Sequence, residues 1–271
     1  MAFVDDSDIF AGMDNYKLVI EMFFKPKYFV FLLSVLFGVS LRAQSVKSQN
    51  NDIWLHYLGK NMLNEKWSFT LEATMRYANG FSEKQQWFVR PSVDYQFKKQ
   101  FSGSIGYSYY NTYSYGNPTL NKIETPENHV WIQGTYVHNS GDFKFTQRLR
   151  NEHRFVGIAQ YDAESADYEI DYYQYRNRLR YLFLVNYPLL KKDSQVKLTG
   201  FLGNEAFINI GTNAGKTFFN QNRVIMGLGY NFNSHHQLQL SYIHQHIWNF
   251  SNTILESNPT IRVSYLTNFD L

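Results

Sequence analysis

Arginine recurs at every second position in two stretches of this chain. Arg148, Arg150 and Arg154 form the first, with Glu152 in step between them, and Arg176, Arg178 and Arg180 form the second. Glu127, Glu205 and Arg223 complete a set of ten charges that alternation places on one side of their segments. A guanidinium presents a planar fork of donors that matches carboxylate and phosphate, and it stays charged at any ordinary pH. Two uses suit such a set. One is an internal ladder of Arg–Glu pairs with trapped water, which holds a structure together. The other is a surface that binds or conducts a small anion.

Histidine is the second group with chemical reach, at His56, His129, His138, His153, His235, His236, His244 and His246. Nucleophilic catalysis needs a nucleophile within hydrogen-bond reach of a base, and a third group that orients the base. Alternation sends His153 and His244 outward, as in a lipid-active hydrolase or acyltransferase, yet no Ser or Asp stands beside them in the sequence. The pair in His244-Gln245-His246 has neither a third His nor a carboxylate nearby, so no metal site is assigned. There is no Gly-rich phosphate loop, nucleophile elbow or zinc-helix motif, and no cofactor is expected. Catalytic residues are left unassigned.

These charges must be held by strands, because successive side chains leave opposite faces of the pleat. Between Phe143 and Phe155 one face carries Lys144, Thr146, Arg148, Arg150, Glu152 and Arg154, and the other is largely apolar. Similar alternation marks Trp67–Tyr77, Trp87–Phe97, Phe101–Tyr109, Glu127–His138, Asp142–Phe155, Tyr172–Asn186, Val196–Asn209, Phe218–Phe232, Gln237–Trp248 and Thr260–Phe269. Gln237–Trp248 is the least regular, since Ile243 and Ile247 share a face with Gln239, Ser241 and Gln245.

The connections alternate between short and long, as they do between the periplasmic turns and extracellular loops of outer-membrane barrels. Ten strands predict both ends of the set on the short-turn side. Ile53–Lys60 is then a surplus segment: a lead-in, a lumen plug, or part of a twelve-strand barrel. A turn at Asn139–Gly141 predicts Glu127 opposite Arg154, His129 opposite Glu152, Trp131 opposite Arg150 and Gln133 opposite Arg148. A slip of one residue would turn Arg148 and Arg150 outward, at roughly 2–4 kcal/mol each near a bilayer midplane.

Composition agrees. Hydrophobic residues are 44% and charged residues 18% of 271, with 21 Tyr and 23 Phe, yet mean hydropathy is only −0.41. A membrane barrel combines these, because its apolar and polar faces alternate residue by residue. The net charge of +3, without a basic patch interleaved with aromatics, argues against nucleic acid. With no cysteine there is no disulfide framework. Lys25 and Lys27 precede the apolar run 28–39 (YFVFLLSVLFGV), and Ala43 follows it. This reads as a secretory signal with cleavage after Ala43, preceded by an extension over 1–21. Residues 44–271 are then the barrel domain. The run is too short to span a bilayer as a helix.

The stretches FTQRLRNEHRF (145–155), YRNRLRYLFLVNYPL (175–189), GNEAFINI (203–210) and FNQNRVIMGLGYNF (219–232) resemble a domain-of-unknown-function family, numbered 2490, of secreted Bacteroidota proteins. The resemblance covers most of residues 50–250. It implies a Gram-negative outer-membrane barrel of unassigned activity, and it carries over no catalytic residue. The expectation is therefore an all-β, antiparallel up-and-down transmembrane barrel of about ten strands, alternatively twelve, resembling a porin. Its basic, salt-bridged lumen would be structural or pass small solutes and anions. Lipid and lipopolysaccharide would surround it after insertion by the barrel-assembly machinery. A lipid-active enzyme is the alternative.

Overall fold

The alternating pattern carries through the whole folded region. In the computed structural model the described residues are 46–270, without Leu120 and Ser194, and every regular element among them is a strand. The expected extension, signal segment and cleavage point lie outside the described residues. The strands are β1 (Val46–Ser48), β2 (Asp52–Met62), β3 (Trp67–Ala78), β4 (Glu83–Lys98), β5 (Phe101–Thr112), β6 (Thr125–Ser140), β7 (Phe143–Asp162), β8 (Asp167–Lys192), β9 (Gln195–Ile210), β10 (Phe219–Asn231), β11 (His236–Trp248) and β12 (Ile254–Asp270).

From β2 to β12 each strand pairs with the next, antiparallel, in an up-and-down meander. The sheet closes where β12 meets β2 in parallel, from Thr260 opposite Asp52 to Asp270 opposite Met62. The result is an eleven-stranded barrel. β1 lies outside this count and continues the same edge of β12, with Val46 opposite Ile254. Closure leaves the meander no open edge, which satisfies the main-chain donors and acceptors that an open sheet would expose.

This closure refines the expected count of about ten strands to eleven in the barrel, with β1 as a twelfth strand outside it. The eleventh strand is β2, which contains the surplus segment Ile53–Lys60. It escaped the alternation test because the contrast between its faces is weak: Trp54 and Leu58 point inward together with His56 and Lys60, whereas Leu55 is exposed outside. With an odd number of strands, β2 and β12 run in the same direction. The chain therefore enters the barrel at the long-loop end and leaves at the short-turn end, so its ends do not share one side.

The β6–β7 register also differs from expectation. The loop is two residues, Gly141 and Asp142, with Ser140 opposite Phe143. Gly141 takes a φ of +57° at the first turn position, a conformation that glycine adopts without a Cβ penalty. His129 therefore faces Arg154, Trp131 faces Glu152, Gln133 faces Arg150 and Glu127 faces Val156. The shift is two residues, so every side chain keeps its face. The expected loop 157–170 is likewise mostly strand, since β7 and β8 pair out to Asp162 opposite Asp167.

The outer wall is apolar, with Leu55, Met75, Val93, Ile105, Ile132, Leu149, Leu202, Leu228, Leu240 and Ile261 exposed. Inside, one sector is apolar too. Trp54, Phe201, Ile225 and Ile243 form a buried cluster with Leu182 and Leu184 against it. This explains the irregular β11: Ile243 is 0% exposed because it points into the barrel and packs there. On the opposite side, Trp131 fits because its partner across β5–β6 is Gly106. A Cβ at Gly106 would lie 2.3 Å from the Trp131 ring and 2.7 Å from the Pro91 carbonyl oxygen. Gly106→Ala is expected to destabilise the barrel by about 1–3 kcal/mol through overpacking, read as a lower urea midpoint in detergent. An unchanged midpoint would mean that Trp131 moves freely aside.

Candidate functional site

The barrel encloses a cavity of about 530 Å³ whose walls carry most of the predicted charges. Glu127, Arg148, Arg150, Arg154, Arg178, Arg180, Glu205 and Arg223 line it, and Glu152 lies wholly buried in the wall between β6 and β8. Strand pairing makes this possible, because β7, β8, β9 and β10 are neighbours that present their charged faces inward.

Arg180 is the hinge of the network. Its Nη1 donates to Glu152 Oε1 at 2.7 Å, and its Nη2 donates to Glu205 Oε1 at 2.7 Å. Glu152 Oε2 accepts from Arg178 Nε at 2.9 Å and Nη2 at 2.7 Å. Glu205 also accepts from Arg148 Nη2 at 2.7 Å, and Arg223 Nη1 lies 3.5 Å from its second oxygen. A smaller group joins Arg154 to Glu127 at 2.7 Å, with His129 Nε2 2.9 Å from the same carboxylate oxygen. The two-residue shift thus leaves Arg154 and Glu127 in diagonal contact across the strands.

Arg176 is the exception among the predicted residues. It is absent from the cavity wall, stacks 3.8 Å from the Phe250 ring and donates to Gln174. Near the long-loop end the cavity gives way to the Phe250 loop, which takes this arginine.

Further wall charges, Glu72, Arg76 and Arg90 among them, carry the inward alternation outside the arginine runs. Arg90 donates to Glu72 at 2.7 Å and to Ser108 at 3.0 Å, and also bonds Tyr110. Glu72 and Arg90 share the inward period-2 signal but belong to no arginine run. The aromatic contribution carried no signal, because an inward Trp breaks the alternation. Arg76 stacks 4.0 Å from Trp54, and Arg150 stacks 4.1 Å from Trp131. Tyr115 comes from the loop between β5 and β6 and is buried, with its hydroxyl donating to Glu256 Oε2 at 3.2 Å. Burial, reinforced by the Glu256 and Asp52 carboxylates, pushes the Tyr115 phenol well above its ordinary pKa. It stays protonated and serves as a donor across the cavity.

Not every guanidinium atom is matched. Arg150 is 4% exposed, and its Nε donates to Gln133 at 2.8 Å. Its Nη1 has no hydrogen-bond partner and sits 3.9 Å from Glu152 Oε1. Arg154 Nε and Arg76 Nε are also unpartnered. On the outer wall, His153 Nδ1 lies 2.7 Å from Tyr175 Oη, and His244 lies beside Ser257.

A family model described as "Protein of unknown function (DUF2490)" matches residues 51–256. The chain belongs to the DUF2490 family. In this DUF2490 protein the matched span runs from the start of β2 into β12 and contains all ten predicted charges. No curated protein matches the chain. A solved structure of the NanC porin in a rhombohedral crystal form is similar over 73% of this chain and 88% of its own, at 12% identity and a TM-score of 0.42.

Proposed function

We propose that this DUF2490 protein is an outer-membrane barrel whose interior takes up and passes small anions. The carrying observation is the imbalance of the cavity wall. Nine arginines and Lys60 line it against Glu72, Asp94, Glu127 and Glu205, and the buried Glu152 is a fifth carboxylate. Asp52 and Glu256 are two further buried carboxylates at the long-loop end, so ten cations face seven acids and the interior keeps an excess of positive charge that calls for mobile counter-anions. Unpartnered guanidinium donors such as Arg150 Nη1 are the groups that would meet them. Rings of Arg and Lys set selectivity for anions in pores by this electrostatic route.

Placement in a bilayer is supported by the apolar outer wall. An exposed apolar surface that encircles a barrel is untenable in water and natural in lipid. The expected secretory signal would deliver the chain, the barrel-assembly machinery would insert it, and lipid and lipopolysaccharide would then surround it. Planar-bilayer recording under a KCl gradient tests the conducting role. Discrete channels with a reversal potential favouring chloride are expected. A silent bilayer, or preference for potassium, would overturn it.

A further inference from the structure

The outer wall holds a group that an anion pathway does not use. Ser257 Oγ lies 3.2 Å from His244 Nε2, and His244 Nδ1 lies 3.0 Å from Tyr242 Oη. Tyr242 and His244 are on β11 and Ser257 is on β12, paired antiparallel so that His246 is directly opposite Ser257. The alternate residues Ser241, Ile243, Gln245, Glu256 and Asn258 are buried, which leaves the three side chains on the outward face. Lower on the same two strands that face is apolar, with Leu240, Ile261 and Val263 exposed. Polar side chains are costly on such a wall, and these are joined in one chain of hydrogen bonds.

We propose that Ser257, His244 and Tyr242 form an esterase site on the outer wall that cleaves the acyl esters of lipids. The parts match nucleophile, base and base-orienting group in reach and order. With the proton on Nδ1, His244 donates to Tyr242 Oη and leaves Nε2 to accept from Ser257 Oγ. Ser257 Oγ then attacks the ester carbonyl carbon while its proton passes to Nε2. The developing oxyanion is assigned to His246, which stands directly opposite Ser257 across β11 and β12 and whose ring is 4.7 Å from that of His244. The C–O ester bond breaks, and the leaving alcohol takes the proton from His244. Water, deprotonated by the same imidazole, releases the acyl group from Ser257 as a free acid. Serine and histidine are regenerated and the electron count is unchanged.

The depth is suitable. Ser257 lies opposite His246, two residues before Trp248 at the long-loop end of β11, about 7 Å along the strand and less along the bilayer normal because strands tilt. Tryptophan marks the headgroup level, so the site falls where ester linkages meet the hydrocarbon. Tyr242 touches no substrate and is a positioning residue. The inference rests on the outer wall meeting lipid, but its test in micelles is independent of conductance.

Full-length protein in detergent mixed micelles with dioleoylphosphatidylethanolamine at pH 8 should release oleic acid, and a fluorophosphonate should form one adduct, on Ser257. Ser257→Ala should abolish both, and His244→Asn should lower release by about 10²–10⁴-fold. Tyr242→Phe should leave the heat-dependent gel shift of a folded barrel intact and displace the acidic limb of the pH–rate profile. Folded wild type that releases no acid and gives no Ser257 adduct would overturn the proposal. So would release that survives Ser257→Ala.

Discussion

Glu152→Ala is expected to destabilise the barrel by about 3–5 kcal/mol, the scale for removing one partner of a buried ion pair. The carboxylate is 0% exposed and is the acceptor for both Arg178 and Arg180 at 2.7 Å. Removing it leaves Arg178 with no carboxylate partner among the ion pairs described, while Arg180 keeps Glu205. The penalty is the cost of that uncompensated charge rather than the net worth of the bridge, which can be small. A second substitution separates the two. Glu152→Ala with Arg178→Met should recover part of the loss, because the stranded charge is gone. Urea unfolding in detergent reads both, and an unchanged midpoint for the single variant would show this wall to be hydrated.

Arg150→Gln is expected to act in the opposite sense, weakening anion binding while leaving the barrel close to its original stability. Arg150 has the poorest local compensation in the network, with Nη1 unpartnered and the Glu152 oxygen at 3.9 Å. Losing it removes repulsion from nearby arginines as well as one donor fork. A hydrogen bond to a charged group contributes about 1.5–3 kcal/mol, so inorganic phosphate should bind roughly 10- to 150-fold more weakly. Block of the chloride current by phosphate measures this, with the urea midpoint as control. Phosphate block equal to that of the wild type would place the anion contact elsewhere, Arg154 Nε being the other unmatched donor on the β7 wall.

Much of the architecture was legible because alternation is local. Each of the ten expected segments is a strand, and the inward face of β7 from Arg148 to Arg154 follows from side-chain period alone. The same logic protected the β6–β7 wall from a wrong turn length, since an even register shift moves no residue to the other face. It failed on β2, where Trp54 and Leu58 interleave with His56 and Lys60 and blur the contrast between the faces, and it was weakest on β11, where Ile243 packs inside among polar residues of the same face. Alternation records contrast between two environments, and it disappears where the barrel interior is packed with hydrophobic side chains.

Local pattern thus established an all-β chain, the inward and outward sides of β3 to β12, and arginine runs on the inward side. Those follow from a two-residue period and from the chemistry of the side chains. Only the tertiary structure decided the strand count, the partners within the charge network, the intrusion of Tyr115 and the meeting of Ser257 with His244. Each depends on which strands become neighbours and at what offset. The joint between Asp52 and Thr260 is a contact across nearly the whole folded chain, made when curvature brings the two edges together. No local pattern encodes that offset, because it is set by turn lengths, bulges and interior packing acting on the barrel as a whole.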